Sequence, residues 1–517
     1  MDAFSNLAAG LQSALSLELL LICFLGVLVG QITGVLPGIG PTGAMALLLP
    51  LSFGMDPGAG LIMLAGIYYG SMYGGAITSI LVNLPGEAAS LVTTLDGYKM
   101  ARKGRAGAAL SIAAIGSWVA GTLAIVGLMF FAPILAKAAL AFGPPEFFAL
   151  GLFGLIVLSN LTGGSFGKSF MMVIVGLMLS TVGIDLVTGE DRFTFGSLEL
   201  SKGIDLVPVV MGLFGLAEIF NVALNPYQNS DMIKIKVRDM YPNKKETRRS
   251  IFPILRGTFV GFPMGLLPGP AGFMSTLISY RLEKKMSRHP EEFGKGAIEG
   301  VAGPESANNA ASTSAMIPFL ALGFPFSPPT ALLLGGLLVH GITPGPMFIT
   351  EHGDLFWLVV ASMYIGNVML LILNLPLVGA FASLTKVPVK ILIPIITGIM
   401  FIGAYSINNS IFDLWIMFIF GLIGFVMKYC DYDPAPLVVG LVLGTVFEEG
   451  LRQGLIMVEG NPLLFFERPV AATLLGISII IVLWKIVQSL LPNRNTTVNT
   501  NQTQQEEEEE DINIKSS

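Results

Sequence analysis

A series of apolar stretches, each near the length of a membrane crossing, constrains the fold of this chain more than any other feature. A helix needs roughly 17–25 apolar residues to cross a bilayer, and lipid forces it to satisfy its backbone hydrogen bonds internally. The stretches are residues 17–36, 58–84, 107–131, 146–162, 168–188, 205–225, 297–322, 328–346, 355–379, 391–408, 411–427, 434–449 and 470–491. Because several are short or interrupted, we predict an all-α polytopic membrane protein with about 11–12 membrane-crossing segments.

The charge and the reactive side chains exclude several classes of protein. Only 12% of the 517 residues are charged, and the net charge of −6 comes largely from the acidic tail at 492–517, which we expect to be disordered. The near-neutral body argues against a nucleic-acid partner. The 2 cysteines and 3 histidines are scattered, without the spacing of a metal site or a catalytic triad. We therefore expect neither an enzyme nor a bound cofactor.

Basic residues are concentrated in three segments, at 99–105, 227–256 and 281–295. The positive-inside rule places all three in the cytoplasm. The acidic segment 189–200 then lies outside, as does the N-terminus, because no lysine or arginine precedes residue 99. The C-terminal tail is expected to be cytoplasmic.

Two sequence elements occur twice in the same order. The element Gly34-Val-Leu-Pro-Gly-Ile-Gly-Pro41 recurs at 265–272, and the small, hydroxyl-rich run at 74–86 has a looser counterpart at 308–325. The segments that follow the first element differ in charge, since 53–57 has no basic residue and 281–288 is basic. Matching positions are therefore expected on opposite sides of the membrane. Such inverted-topology repeats are typical of secondary transporters, which bind substrate at the repeat interface.

The Pro-Gly elements predict two re-entrant helical hairpins. Arg256 and Arg281 are both at basic ends, and the segment between them is too short for two full crossings, so a hairpin with its tip at 268–270 keeps both ends on one side. The repeat predicts a matching hairpin at 17–53, entered from outside, with its tip at 37–41. We divide the chain into a first repeat half with scaffold helices (1–226), a basic cytoplasmic linker (227–256), a second inverted half with scaffold helices (257–491) and a disordered acidic tail (492–517).

Irregular backbone at membrane depth occurs only where it is buried in protein or lines a cavity, so both tips and both interrupted helices are expected to face one polar cavity. Glycine N–H groups and helix N-termini suit a carboxylate, whereas hydroxyl, amide and carbonyl oxygens suit Na⁺. The predicted substrate-binding residues are Gly38, Gly40, Thr42, Thr78, Ser79, Asn83, Gly269, Asn308, Asn309, Ser312 and Thr313. The predicted Na⁺ ligands are Gly34, Pro37, Asn83, Gly265, Pro268, Ser306 and Asn309.

Alternatives stay open for these residues. Small and hydroxyl side chains are also common where membrane helices pack together. Glu87 and Glu305 flank the interruptions, either as functional intramembrane carboxylates or as groups at helix ends in water. Lys137 and Lys168 lie near the ends of apolar stretches, where basic residues are otherwise nearly absent. An anion would then be held mainly by backbone dipoles, hydroxyl groups and co-bound cations.

At these residues the chain resembles the large membrane subunit of tripartite tricarboxylate transporters, the TctA family. The resemblance rests on GVLPGIGPTGAMALLLPL (34–51), YGGAITSILVNLPGEAAS (73–90), GLLPGPAG (265–272) and PESANNAASTSAMIPFLALGFP (304–325). It implies a permease of the prokaryotic cytoplasmic (inner) membrane that works with a small four-helix membrane subunit and an extracytoplasmic solute-binding protein. The chain departs from the family pattern at 323–326, where Gly-Phe-Pro-Phe stands in place of Ile-Pro-Gly.

The resemblance further implies uptake of citrate-like tri- or dicarboxylates by symport with a cation, commonly Na⁺, without ATP. Alternating access of the elevator type is expected by analogy with other two-hairpin transporters. A stand-alone carboxylate/cation symporter and, less favoured, an anion channel remain alternatives. Membrane lipid is the surrounding medium, H⁺ is the alternative coupling ion, and a homodimer is left open.

Overall fold

The computed structural model describes residues 3–36, 40–161, 165–185, 187–224, 241–375, 377, 381 and 389–490. Its helices are α1 (Ala3–Ala14), α2 (Leu17–Val35), α3 (Gly40–Ser52), α4 (Pro57–Val82), α5 (Ala106–Ala139), α6 (Pro144–Leu161), α7 (Phe166–Ser180), α8 (Leu206–Leu224), α9 (Lys244–Gly265), α10 (Ala271–Met286), α11 (Glu299–Ser314), α12 (Met316–Leu322), α13 (Pro328–Val339), α14 (Gly353–Asn374), α15 (Val389–Asn408), α16 (Ile411–Tyr429), α17 (Ala435–Met457) and α18 (Pro469–Leu490). Short helical turns lie at Leu91–Thr93, Leu198–Ser201, Pro290–Glu292, Phe348–Glu351 and Pro462–Glu467, and π-helical segments at Thr94–Tyr98, Ala101–Arg105 and, within α8, Met211–Leu216. Strands β1 (Gly183–Ile184) and β2 (Asp191–Arg192) form an antiparallel ribbon. The predicted all-α fold is confirmed.

The described part of the chain contains 8 helices that are long and apolar enough to cross a membrane. They are α2, α4, α5 with the π-helical segment before it, α6, α8, α14, α16 and α18, and shorter apolar helices lie at Phe166–Ser180, Pro328–Val339 and Ile396–Ser406. Helix α4 is fully enclosed by protein, whereas most of α18 is exposed. This range of burial fits a bundle in which a central helix is surrounded by helices that face lipid. The multi-pass prediction is confirmed.

The first predicted hairpin consists of α2 and α3, and glycines fix how α2 packs on α4. Gly26, Gly30 and Gly34 recur every four residues along one face of α2. A Cβ atom added to Gly30 would lie only 2.4 Å from the carbonyl oxygen of Ile67 on α4. Small residues at this spacing let two membrane helices approach to backbone contact. Any larger side chain would therefore separate the hairpin from α4.

The second predicted hairpin consists of α9 and α10, and it repeats the same packing. Gly257, Gly261 and Gly265 stand on α9 at the same four-residue spacing. A Cβ atom on Gly261 would lie 2.1 Å from the carbonyl oxygen of Ala307 on α11. The sequence repeat thus has a physical basis, because each hairpin joins its interrupted helix through a glycine face. Helix α9 begins at Lys244, so residues 244–256 of the expected linker are helical, and 225–240 lie outside the described residues.

Both interrupted helices end in the left-handed backbone conformation shortly before a proline. Asn83 follows α4 with φ of 61°, and Gly323 follows α12 with φ of 76°. The next proline comes two residues later in each case, at Pro85 and Pro325. A left-handed residue that follows a helix redirects the chain, and proline prevents the helix from continuing. The two breaks predicted from sequence are therefore real helix ends.

A buried carboxylate connects the segments that we expect in the cytoplasm. Asp96 accepts hydrogen bonds from the Tyr280 hydroxyl at 2.8 Å and from the N–H groups of Gly296 and Ala297 at 2.7 and 2.9 Å. Nearby, Arg256 of α9 binds both carboxylate oxygens of Glu283 on α10. These contacts join the first half to the second and hold the two arms of the second hairpin together.

The β-ribbon is fixed by a second group of charges. Both carboxylate oxygens of Asp185 accept hydrogen bonds from Arg452 of α17, at 3.0 and 2.9 Å. The hydrogen bonds from Arg452 and from the Val187 N–H hold the pKa of Asp185 well below its usual range. The ribbon is thus anchored to α17.

Candidate functional site

The tips of the two hairpins meet at a cavity of about 600 Å³. Residues 40–43 of the first tip and 269–273 of the second lie on its wall, together with residues 85–89, which follow the end of α4. Asn308 and Ser312 of α11 complete this side. The rest of the wall includes residues of α8 and α16 and the segments 327–329 and 433–435. The sequence-based expectation that both tips reach one cavity agrees with this geometry.

Four helices begin at the cavity. The first residues of α3 (Gly40), α10 (Ala271), α13 (Pro328) and α17 (Ala435) all belong to its wall. The N-terminus of a helix carries unpaired N–H groups and about half a positive elementary charge. The N-termini of α3 and α10 therefore favour an anion. The other two are already occupied, because α13 begins with Pro328 and Pro329, which have no N–H, and the Ala435 N–H of α17 donates to Asp433 Oδ1. The two hairpin tips are also the ones predicted from sequence.

The polar side chains on the wall centre on Asn308. Its Nδ2 donates to Glu87 Oε1 at 2.7 Å, and its backbone carbonyl accepts from the Ser312 hydroxyl at 2.9 Å. Asn308 is 1% exposed, and its Oδ1 has no hydrogen-bond partner among the described residues. A buried amide oxygen without a partner is costly, so its position on a cavity wall points to a ligand.

Lys428 supplies the cavity wall with an ammonium group that sequence reasoning missed. Its Nζ lies 2.5 Å from Glu218 Oε2, and both residues line the cavity. Lys428 lies in the last turn of α16, directly after an apolar stretch. This position at the end of a membrane-length stretch is the sequence signal that could have identified it. Lys168, which the sequence did single out, instead donates to the Cys430 carbonyl at 2.7 Å and lies over the Tyr432 ring.

The structure sorts the predicted substrate-binding residues into two sets. Gly40, Thr42, Gly269, Asn308 and Ser312 lie on the cavity wall. The remaining described residues of that prediction, which are Thr78, Ser79, Asn83, Asn309 and Thr313, lie away from it. Gly38 lies outside the described residues.

Most residues of the second set form hydrogen bonds within the protein. The hydroxyls of Thr78 and Ser79 donate to the Gly75 carbonyl within α4, at 3.2 and 2.9 Å. Asn309 Nδ2 donates to Ser117 Oγ at 2.7 Å and to the Glu305 carbonyl at 3.1 Å. Asn83 is exposed and ends α4.

The predicted Na⁺ ligands do not converge on the cavity. Gly34 and Gly265 belong to the two glycine faces, and the Ser306 hydroxyl donates to the Ala302 carbonyl at 2.7 Å. Pro268 precedes the cavity-lining part of the second tip. Pro37 lies outside the described residues. The two remaining predicted ligands, Asn83 and Asn309, also lie away from the cavity.

The two carboxylates that flank the breaks have different surroundings. Glu87 lines the cavity, whereas Glu305 is 1% exposed inside the bundle. The Thr93 hydroxyl donates to Glu305 Oε1, and Glu305 Oε2 has no partner in the described part of the chain.

The residues at 323–326, where the chain departs from the family pattern, pack inside the protein. Phe324 and Phe326 are both buried, and Phe324 stacks on Phe147 with 6.4 Å between ring centroids. The Phe326 carbonyl accepts a hydrogen bond from the Gly269 N–H at 3.1 Å. This bond fixes the second tip, whose Gly269 has a φ of 129° that disfavours other residues.

A multi-pass helical bundle with two hairpin tips at an anion-favouring cavity has the architecture of a membrane transporter. The family model of the tripartite tricarboxylate transporter TctA family matches residues 20–439, and the chain belongs to this family. The family comprises the large subunits of transport systems that include other subunits.

Two similar proteins come from Agrobacterium vitis. One, an uncharacterized 52.8 kDa protein in the TAR-I ttuC' 3' region, is 47% identical over 495 residues, which cover 96% of this chain and 98% of that protein. The other, a protein in the TAR-II ttuC' 3' region, is 45% identical over 235 residues, which cover 46% of this chain and 97% of that protein. No solved structure matches the chain.

Proposed function

We propose that the protein takes up citrate-like tri- or dicarboxylates by symport with Na⁺ or H⁺ in the prokaryotic inner membrane. It acts as the permease of a system with a small four-helix membrane subunit and an extracytoplasmic solute-binding protein. Family membership supports the role of large subunit. The observation that carries the choice of an anionic substrate is that the N-termini of α3 and α10 and the ammonium group of Lys428 lie on the wall of one cavity.

The size of the cavity suits a small polycarboxylate. Its volume of about 600 Å³ lies within the range of about 300–1,000 Å³ that is typical of small-molecule sites. One carboxylate of the substrate binds between the N-termini of α3 and α10, which both lie on the cavity wall. A second carboxylate reaches Lys428, where it competes with Glu218 for the ammonium group. The pair can open because the Lys428 side chain is 51% exposed, and Glu218, which is 12% exposed, keeps a hydrogen bond from Asn221 Nδ2 at 3.1 Å.

Alternating access of the elevator type is part of the proposal. Each hairpin contacts its interrupted helix through backbone atoms along a glycine face, so hairpin and helix move together. The wall formed by α8, α13, α16 and α17 belongs to other elements. A relative displacement of the two sides would expose the cavity first on one membrane face and then on the other.

Uptake of labelled di- and tricarboxylates into proteoliposomes tests the proposal. The protein is reconstituted with its membrane partner and binding protein, and an inward Na⁺ or H⁺ gradient is imposed in separate arms. Accumulation that requires the binding protein and one of the gradients is the expected result. Uptake without the binding protein would identify a stand-alone symporter, and flux that ignores both gradients would identify a channel. Failure to transport any carboxylate would refute the substrate class.

A further inference from the structure

The charges on the cavity wall do not balance for an anionic substrate. Three carboxylates line the cavity, from Glu87, Glu218 and Asp433, against the single ammonium group of Lys428 in the described wall. Lys428 pairs with Glu218. Asp433 Oδ1 accepts from the Ala435 N–H at 2.9 Å and so caps α17, where a negative charge is stabilised. Glu87 is the carboxylate that remains without a compensating positive group.

Glu87 occupies a fixed position beside an unused ligand atom. Its Oε1 accepts from Asn308 Nδ2 at 2.7 Å, and the Ser90 hydroxyl accepts from the Glu87 N–H at 3.3 Å. A Cβ atom on Gly272 of the second tip would lie 2.7 Å from Asn308 Oδ1, so this tip covers the amide. A carboxylate and an unpartnered amide oxygen therefore lie together where both halves of the repeat meet.

We propose that Glu87, with Asn308, is the site of the coupling cation, and that this cation must bind before the substrate carboxylate can. This inference rests on the proposed function and names the residues that couple ion to substrate. An ionised Glu87 would repel a carboxylate in the same cavity, and a bound positive charge removes that repulsion. A proton would convert Glu87 into a hydrogen-bond donor, and Na⁺ would bind its carboxylate together with the amide oxygen.

A divalent ion is less suited to this position. No group of three or more His, Cys, Asp or Glu side chains converges anywhere in the described ranges of the chain. Sites for Ca²⁺ and Zn²⁺ need several such ligands. A monovalent charge is sufficient to neutralise one carboxylate.

Other titratable groups lie around Glu87. Tyr68 of α4 and Glu305 of α11 both interact with Glu87 electrostatically. Glu218, Lys428 and Asp433 also line the cavity. Glu305 is hydrogen-bonded to Thr93 inside the bundle and is not part of the cavity wall, so it does not contact substrate.

Replacement of Glu87 by glutamine tests the inference in the same reconstituted system. Glutamine has nearly the same shape and is permanently neutral, so the Glu87→Gln variant should bind substrate without the cation. We expect it to exchange internal unlabelled for external labelled carboxylate, while accumulation driven by the gradient falls to simple equilibration. A pH gradient without Na⁺ and a Na⁺ gradient at constant pH distinguish the two cations in the wild type.

The outcomes separate this inference from the proposed function. Wild-type protein that transports no carboxylate would refute the proposed function. Wild-type accumulation matched by Glu87→Gln would overturn the role of Glu87 alone, as would a well-folded Glu87→Gln that loses exchange. If that variant does not elute as a monodisperse protein, Glu87→Asp replaces it. The shorter carboxylate should shift the cation concentration for half-maximal uptake, and an unchanged value would overturn the inference.

Discussion

Removal of the ammonium group from the cavity gives the sharpest test of how substrate is held. In the variant Lys428→Gln, the charge that faces the cavity is lost, and Glu218 loses its ammonium partner while it keeps the hydrogen bond from Asn221 Nδ2. Two unit charges about 4 Å apart attract by about 1 kcal/mol in water and about 4 kcal/mol near a protein surface. Because the Lys428 side chain is 51% exposed, its contribution should lie near the lower value, at about 1–2 kcal/mol.

This energy corresponds to a rise in the KM for carboxylate uptake of roughly 5–30-fold. The rate at saturating substrate should change much less, since the interaction is made in the ground state. The assay is initial uptake into proteoliposomes at a series of substrate concentrations. Glu218→Gln should act in the opposite direction and lower KM, because it frees Lys428 from its competitor.

Lys168→Gln is the matched control. Lys168 is also near the cavity side of α16, but its Nζ bonds the Cys430 carbonyl and it does not line the cavity. Its replacement should leave KM unchanged. Equal KM values for wild type and Lys428→Gln, or equal increases for both lysine variants, would refute the assignment of Lys428 to the substrate carboxylate.

Further predictions concern stability and can be measured on purified protein in detergent. Gly261→Leu should abolish the folded state, because its side chain would collide with the Ala307 carbonyl. Gly54→Ala should be tolerated, since nothing lies within 4 Å of a Cβ atom at that site. Gel filtration distinguishes the two variants, and a monodisperse Gly261→Leu protein would contradict the packing of α9 on α11. Asp96→Ala should lower the melting temperature by an amount equivalent to about 1–3 kcal/mol, because it leaves the buried Ala297 N–H and two partly buried donors without their acceptor. An unchanged melting temperature would show that these bonds contribute nothing. The folded-state pKa of Asp185 is depressed, so the stability it provides is present above its unfolded pKa of about 3.9 and is lost as pH falls through the folded value. The difference in melting temperature between wild type and Asp185→Asn should therefore be constant between about pH 8 and pH 5, and a difference that disappears within this range would contradict the Arg452 contact.

The hairpins were predictable from sequence because they depend on local chemistry. Proline and glycine at 268–270 force a turn, and basic residues at both ends exclude a single crossing. The glycine faces were not predicted, since Gly34 and Gly265 were expected to bind Na⁺ and instead lie against neighbouring backbone. That both tips reach one cavity was expected, because irregular backbone at membrane depth must be buried or line a cavity.

The side chains on the cavity wall were harder to predict. A hydroxyl such as that of Thr78 can bond its own helix, and its sequence position does not reveal whether it does so or faces a cavity. Lys428 and the N-termini of α13 and α17 come from outside the repeat, so the symmetry argument could not reach them. Ser327-Pro328 and Asp433-Pro434 nevertheless have the composition of helix starts.

The proposed coupling would divide its steps between two parts of the cavity wall. One side, made of the hairpin tips with the segment after α4 and with α11, carries Glu87 and Asn308; the other carries Lys428 and Glu218. In the proposed mechanism, a substrate that bridges them would need a cation on the first side and would displace a carboxylate on the second. Substrate that lacks the cation would be repelled by an ionised Glu87. Movement with substrate but without the cation is therefore disfavoured, which would tie uptake of the carboxylate to entry of the cation.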